Sequence, residues 1–202
     1  MTQIKKYTLR KVLIDSILII FSVLLALFID EWRTAYNEDA ETKKMLENIE
    51  LEIIENQKFV KRAIAYQESV LQKGTRIVEQ DSIYEKMYSE DYGFSIREIA
   101  PNGISQGKIY DIAWSVAKDN QITNRISLEK AQILYRVYEQ HKTVREAIQD
   151  IIEVLTDRES LRKEHLRETV ILYMSTTAEF AGRLKYLDNL YTTALEELQK
   201  EP

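Results

Sequence analysis

The 202-residue chain contains no cysteine. That excludes disulfides, a thiol nucleophile and thiolate-bound zinc or iron–sulfur clusters. Proline occurs twice and glycine five times, while 30% of the residues are charged. So little turn-forming material favours long helices over a strand-and-turn architecture. Histidine is nearly absent, and neither His141 nor His165 has the glutamate three residues earlier that a di-iron helical site requires. Tyr138 and Arg162 stand there instead. The segment "HLRE", residues 165–168, offers only a lone pair of possible ligands. The phosphate-loop, nucleophile-elbow and dinucleotide-binding patterns are missing as well. No catalytic residue, cofactor or metal ligand is expected, and the chain is expected not to be an enzyme.

Net positive charge is confined to the N-terminus. Lys5, Lys6, Arg10 and Lys11 give the first eleven residues +4, so the net −5 of the whole chain leaves −9 on residues 12–202. An acidic body lacks the basic stripe that phosphate backbones need, which excludes nucleic acid as a partner.

What the sequence does contain is one long apolar run. Residues 12–29 are apolar except for Asp15, Ser16 and Ser22. As a helix they reach about 27 Å, close to the hydrocarbon thickness of a bilayer. Cations precede the run, Asp30 and Glu31 follow it, and Trp32 and Tyr36 fall where an interfacial aromatic belt lies. A cleavable leader needs small residues at its end, whereas this run closes on "LLALFIDEW". A buried soluble helix is disfavoured by the flanking charges. The expectation is a kept anchor over residues 12–31, resting on Lys11, Asp15, Phe21, Phe28 and Trp32 and contacting membrane lipid. Residues 1–11 form a basic cytoplasmic tail, and residues 32–202 an extracytoplasmic, periplasmic body on the inner (cytoplasmic) membrane. Asp15 lies four residues after Lys11, so the two can pair on one helix face. The alternative is an intramembrane carboxylate that contacts a partner helix or carries protons.

Beyond the anchor a repeat of alternating threes and fours continues through Leu46, Ile49, Ile53, Asn56, Val60, Ala63, Gln67, Val70, Gly74 and Ile77. Stepped backwards it reaches Leu18, so anchor and helix are expected to form one rod to about residue 79. Asn56 and Gln67, polar in an apolar seam, either set register or oligomer state or sit at a water-facing edge. Residues 80–107 hold three of the five glycines and read as a loop-rich insertion, with a short extended piece at "FSIREIA". A short helix carries Ile109, Ile112, Ala113 and Val116, with Trp114 as a packing anchor, and stops near "KDNQ".

Ser127 caps the next helix, whose seam is Leu134, Val137, His141, Val144, Ile148, Ile151 and Leu155. Thr156 and Glu159 form a capping box that starts the last helix. Its seam is Leu166, Val170, Tyr173, Thr177, Phe180, Leu184, Leu187, Tyr191, Ala194 and Leu198. The predicted fold is all-α: a transmembrane helix followed by an elongated helical bundle or coiled coil of three long helices and one short one.

Two stretches carry a resemblance. "FIDEWRTAYNED", residues 28–39, closes a membrane helix on an I-x-x-W-like signature. "YDIAWSVAKDNQITNRISLEKAQILYRVYEQH", residues 110–141, joins an aromatic-small helix through a polar break to a helix ending in a tyrosine pair. The order of parts resembles a family of small bacterial single-pass membrane proteins with an extracytoplasmic helical domain. Asp30 departs from the asparagine frequent there. The resemblance implies the topology and carries over no catalytic residue.

The expected function is a membrane-anchored structural or accessory subunit. Its helices would pack with further copies, as a homo-oligomer, or with a larger membrane protein complex. The alternative is an extracytoplasmic ligand-sensing bundle, with a pocket over residues 80–120, that signals through a partner because the chain ends without a second span.

Overall fold

The computed structural model describes residues 3–79, 87–89, 93–105 and 107–200, with side chains from residue 10 onward and not at residues 93 and 94. Lys5, Lys6 and part of the loop-rich insertion thus lie outside the described side chains. The protein is all-α, 84% helical. Four α-helices occur among the described residues: α1 (Gln3–Glu79), α2 (Ile112–Asp119), α3 (Leu128–Thr156) and α4 (Leu166–Leu198). Two short antiparallel strands, β1 (Tyr88–Ser89) and β2 (Gly93–Phe94), form the only ladder among those residues. The "FSIREIA" segment is therefore extended only at its start; Ile96–Glu98 is a 3₁₀ turn.

The chain divides into two units, Met1–Lys44 and Met45–Pro202. In the first, the apolar side chains of residues 12–29 are exposed, from 47% at Leu25 to 68% at Phe28. Helix α1 is here long and apolar enough to cross a membrane. The hydroxyls of Ser16 and Ser22 donate to the carbonyls of Val12 (2.8 Å) and Leu18 (2.7 Å). Each polar group is thereby satisfied within the helix, as an apolar surround requires. The expected Lys11–Asp15 pair is not formed: among the described residues no ion pair joins them, and both are exposed.

In the second unit, α3 and α4 run antiparallel. Gln140 Nε2 donates to the Arg183 carbonyl (3.1 Å), Arg183 Nη1 donates to the Thr143 carbonyl (2.8 Å), and the buried Lys130 Nζ donates to the Lys200 carbonyl (2.8 Å). That lysine supplies a donor and a positive charge to the C-terminal end of α4, where carbonyls lack helical partners. Helix α1 runs antiparallel to α4 as well, through Gln57 Nε2 to Thr192 Oγ1 (3.1 Å) and Lys185 to Glu68 (2.8 Å).

The seams are buried along their length. Ile49, Ile53, Val60 and Val70 of α1 join Leu134, Val137, Val144 and Ile151 of α3, and Val170, Tyr173, Phe180, Leu184, Leu187 and Tyr191 of α4, in one hydrophobic core. Full burial of side chains of this size stabilises by about 1.5–3 kcal/mol each.

One boundary and one helix face differ from the sequence expectation. Helix α4 begins at Leu166, not after Thr156. Thr156 is the last residue of α3, its hydroxyl bonded back to the Ile152 carbonyl at 2.9 Å, so the Thr156–Glu159 capping box is not used. Residues 157–165 instead turn the chain around. There Asp157 accepts from the Ser160 amide (3.0 Å), and Thr169 donates to the carbonyls of Ser160 and His165. The short helix α2 also buries a different face: Trp114 and Ala117 point in, while Ile112 (64%) and Val116 (54%) are exposed. An eight-residue helix here carries apolar residues on both sides, and the larger indole decides which side is buried.

Glycine discriminates two environments. The Phe59 ring lies where a Cβ on Gly107 would stand, 2.5 Å from its nearest atom, whereas Gly182 on α4 faces open space. Gly107→Ala is expected to destabilise by about 1–3 kcal/mol, and Gly182→Ala to stabilise by about 0.5–1 kcal/mol. Urea unfolding of the detergent-solubilised chain measures both, and equal effects would contradict the packing.

Candidate functional site

Residues 103–105 and 107–111 form a strap that returns along α1 with no helix or strand of its own. Its part-buried amides and carbonyls have no ladder partner, and a backbone group left unpaired away from water costs about 1–3 kcal/mol. Helix α1 supplies the partners from side chains at helical spacing. Tyr66 Oη donates to the Gly103 carbonyl (2.8 Å) and accepts from the Asn102 amide (3.2 Å). Gln67 Nε2 donates to the Ile104 carbonyl (2.7 Å). Asn56 clamps Tyr110 at both ends, Nδ2 donating to its carbonyl (2.7 Å) and Oδ1 accepting from its amide (2.9 Å). Gly103 takes φ +78°, a backbone conformation that a side chain would strain.

Asn56 and Gln67 are thus neither edge residues nor contacts for a second copy. They are 1% and 2% exposed, and their amides are spent on the chain's own strap.

Glu52, next to the seam residue Ile53, completes the clamp. Its Oε2 accepts from the Ala113 amide (2.8 Å), capping the start of α2 from outside that helix, where Asp111 makes no side-chain cap. Free amides and the helix dipole favour a carboxylate there. Its Oε1 accepts from Tyr138 Oη (2.9 Å) on α3. No local pattern marks such a residue, because an acid beside an apolar seam is ordinarily solvated.

An aromatic chain leads inward from this carboxylate. The Trp114 ring stacks on Tyr138 (centroids 5.2 Å, planes 6° apart) and meets Tyr135 edge-on at 5.2 Å. Tyr138 lies 4.8 Å from the His141 ring, and His141 Nε2 is 2.7 Å from Tyr191 Oη. His141 and Tyr191 are fully buried, and His141 Nδ1 has no hydrogen-bond partner.

Burial governs the charge states. It pulls His141 down to about 3, aided by the Arg145 charge. It pushes the Tyr138 phenol up, reinforced by the Glu52 charge, and pushes up Tyr191, with Glu52 and Asp188 adding to the effect. Tyr173, elsewhere in the core, is pushed up to about 12, chiefly by burial. Around neutral pH the cluster therefore holds a neutral imidazole and protonated phenols.

Trp114, His141, Tyr173, Phe180, Leu184, Leu187 and Tyr191 all lie in this core, contacting their own chain. The structure brings Trp114, His141 and Tyr191 together in one cluster, whereas Tyr173 and Phe180 pack farther along α4. Lys11, Asp15, Phe21, Phe28 and Trp32 all lie in the first unit and are exposed. His165 is half-exposed and 3.8 Å from Glu159. Among the described residues no group of three His, Asp or Glu is placed to hold a metal ion. An open groove of about 440 Å³ lies over the strap's start, lined by Ser95, Ile96, Arg97, Ala100, Pro101, Gly103 and Leu155. Comparison with protein-family models, curated proteins and solved structures finds no match to this chain.

Two outcomes follow from this geometry. Asn56→Asp removes the donor to Tyr110 and sets a carboxylate oxygen against its carbonyl. The expected loss is about 2–4 kcal/mol, with faster hydrogen exchange at the Tyr110 amide. His141 supplies a pH test. Above its ordinary 6.5 the ring is neutral both folded and unfolded. Below that, the unfolded chain takes up a proton that the fold refuses. Stability then falls by about 1.4 kcal/mol per pH unit, levelling off near pH 3. Between pH 6.5 and 4.5 the wild type should lose about 2–3 kcal/mol more than His141→Gln. Equal pH slopes in urea titrations would contradict this assignment.

Proposed function

We propose that the chain is a single-pass membrane subunit of structural or accessory kind. Residues 12–31 lie in the inner membrane, the basic tail is cytoplasmic, and residues 32–202 stand outside as a helical bundle. The observation that carries this reading is the run of apolar side chains over residues 12–29, exposed throughout with both serine hydroxyls satisfied inside the helix. Exposing such a surface to water is unfavourable by about 25 cal/mol per Å², and a lipid surround removes that cost. Cations before the run and acids after it favour the cytoplasmic N-terminus.

The seams over residues 46–77, 134–155 and 166–198 are filled by the chain's own side chains. Assembly, with further copies or with a larger membrane complex, would then use surfaces other than these seams. A second reading, ligand sensing, draws on the groove beside Arg97 and Pro101. A rise in melting temperature with small molecules from periplasmic extract would support it.

Protease added to spheroplasts should remove a C-terminal tag, and a protected tag overturns the orientation. After mild solubilisation, the purified complex should exceed the detergent-bound 23.8 kDa chain by the mass of further copies or of a different protein. An isolated monomer would remove the subunit reading.

A further inference from the structure

We propose that Asp15 is the docking point for a membrane helix of another protein, one that carries a lysine or arginine at matching depth. The inference deepens the anchor reading above and rests on it. Three polar residues interrupt the apolar run. Two of them, Ser16 and Ser22, donate their hydroxyls to carbonyls of their own helix and need nothing further. Asp15 is different. Among the described residues its carboxylate makes neither a hydrogen bond nor an ion pair, and Lys11, one turn earlier, does not reach it.

An ionised carboxylate without a partner is costly in hydrocarbon. A cation on a neighbouring helix offsets that cost directly, without pulling the helix toward the headgroups. Charge complementarity therefore selects a basic occupant. It also disfavours a second copy of this chain, since parallel copies in register would set one Asp15 against another.

The face around Asp15 suits a close neighbour. Ser22 and Ala26 follow it by seven and eleven residues, which at 100° per residue places each within about 20° of Asp15 around the helix. A small hydroxyl already bonded inward and a methyl group leave room for an approaching backbone. The bulky residues Phe21 and Phe28 lie off this stripe, about 120° and 140° from Asp15 around the helix.

The test reconstitutes the full-length chain in phosphatidylcholine vesicles and measures energy transfer to two poly-leucine membrane peptides. One bears a single lysine at the fourth position of its span, and the other bears leucine there. Association with the lysine peptide is expected to exceed that with the leucine peptide roughly three- to tenfold. Asp15→Asn should abolish the preference, and Asp15→Lys should transfer it to a peptide bearing aspartate. Equal transfer to both peptides, or a preference that survives in Asp15→Asn, overturns the proposal. So does transfer between copies of the chain that exceeds transfer to the lysine peptide. Vesicle flotation separates the two readings. A chain that fails to float with the vesicles defeats the anchor itself, whereas one that floats without preference defeats only the role of Asp15.

Discussion

The second unit depends on one constraint: irregular backbone packed against a helix needs hydrogen-bond partners that it cannot supply itself. A helix answers its own backbone groups internally, and the strap over residues 103–105 and 107–111 cannot. Helix α1 therefore gives up part of its seam to Asn56 and Gln67, with Glu52 and Tyr66 beside it. The arrangement costs apolar area on α1 but fixes where the strap lies. A side-chain amide that both donates to and accepts from one residue, as Asn56 does with Tyr110, tolerates no slippage.

From the strap the constraint passes to the helices. Glu52 holds the first turn of α2, which places Trp114 flat on Tyr138. Tyr138 donates a hydrogen bond to the same Glu52, so α1, α2 and α3 meet at one carboxylate. One turn on, His141 reaches Tyr191 and ties α3 to α4. Hydrophobic burial supplies most of the favourable free energy in such a core, yet it is non-directional. The polar and aromatic contacts select one register among the many that apolar seams alone would allow. Neutral states of the imidazole and phenols keep this selection inexpensive, because no unpaired charge is buried.

The first unit follows the opposite rule. Its apolar side chains face outward, and its serines turn inward to their own backbone. Each choice makes sense in a solvent that cannot hydrogen-bond. Asp15 stands out against this background as the group whose requirement the helix does not meet. The functional reading thus rests on surfaces: an outward apolar face, one unanswered carboxylate, and a body whose strongest packing faces are already occupied.

The helical seams could be read from residue spacing because burial of one helix face is a local, periodic property. Every position from Ile49 to Ile77 in steps of three and four is buried, as are Leu166 through Ala194 on α4. Helix content followed equally from scarce glycine and proline. The role of Glu52, the partners of Asn56 and Gln67, and the exposure of Ile112 and Val116 on α2 were not readable in this way. Each depends on which distant segment arrives beside the residue, fifty-four positions away for Asn56 and eighty-six for Glu52 and Tyr138. The capping box at Thr156 failed for a related reason: its residues had the right types, but the reversal between α3 and α4 needed them as a turn. Spacing along one helix determines what is buried; only the packed chain decides what a buried polar group holds.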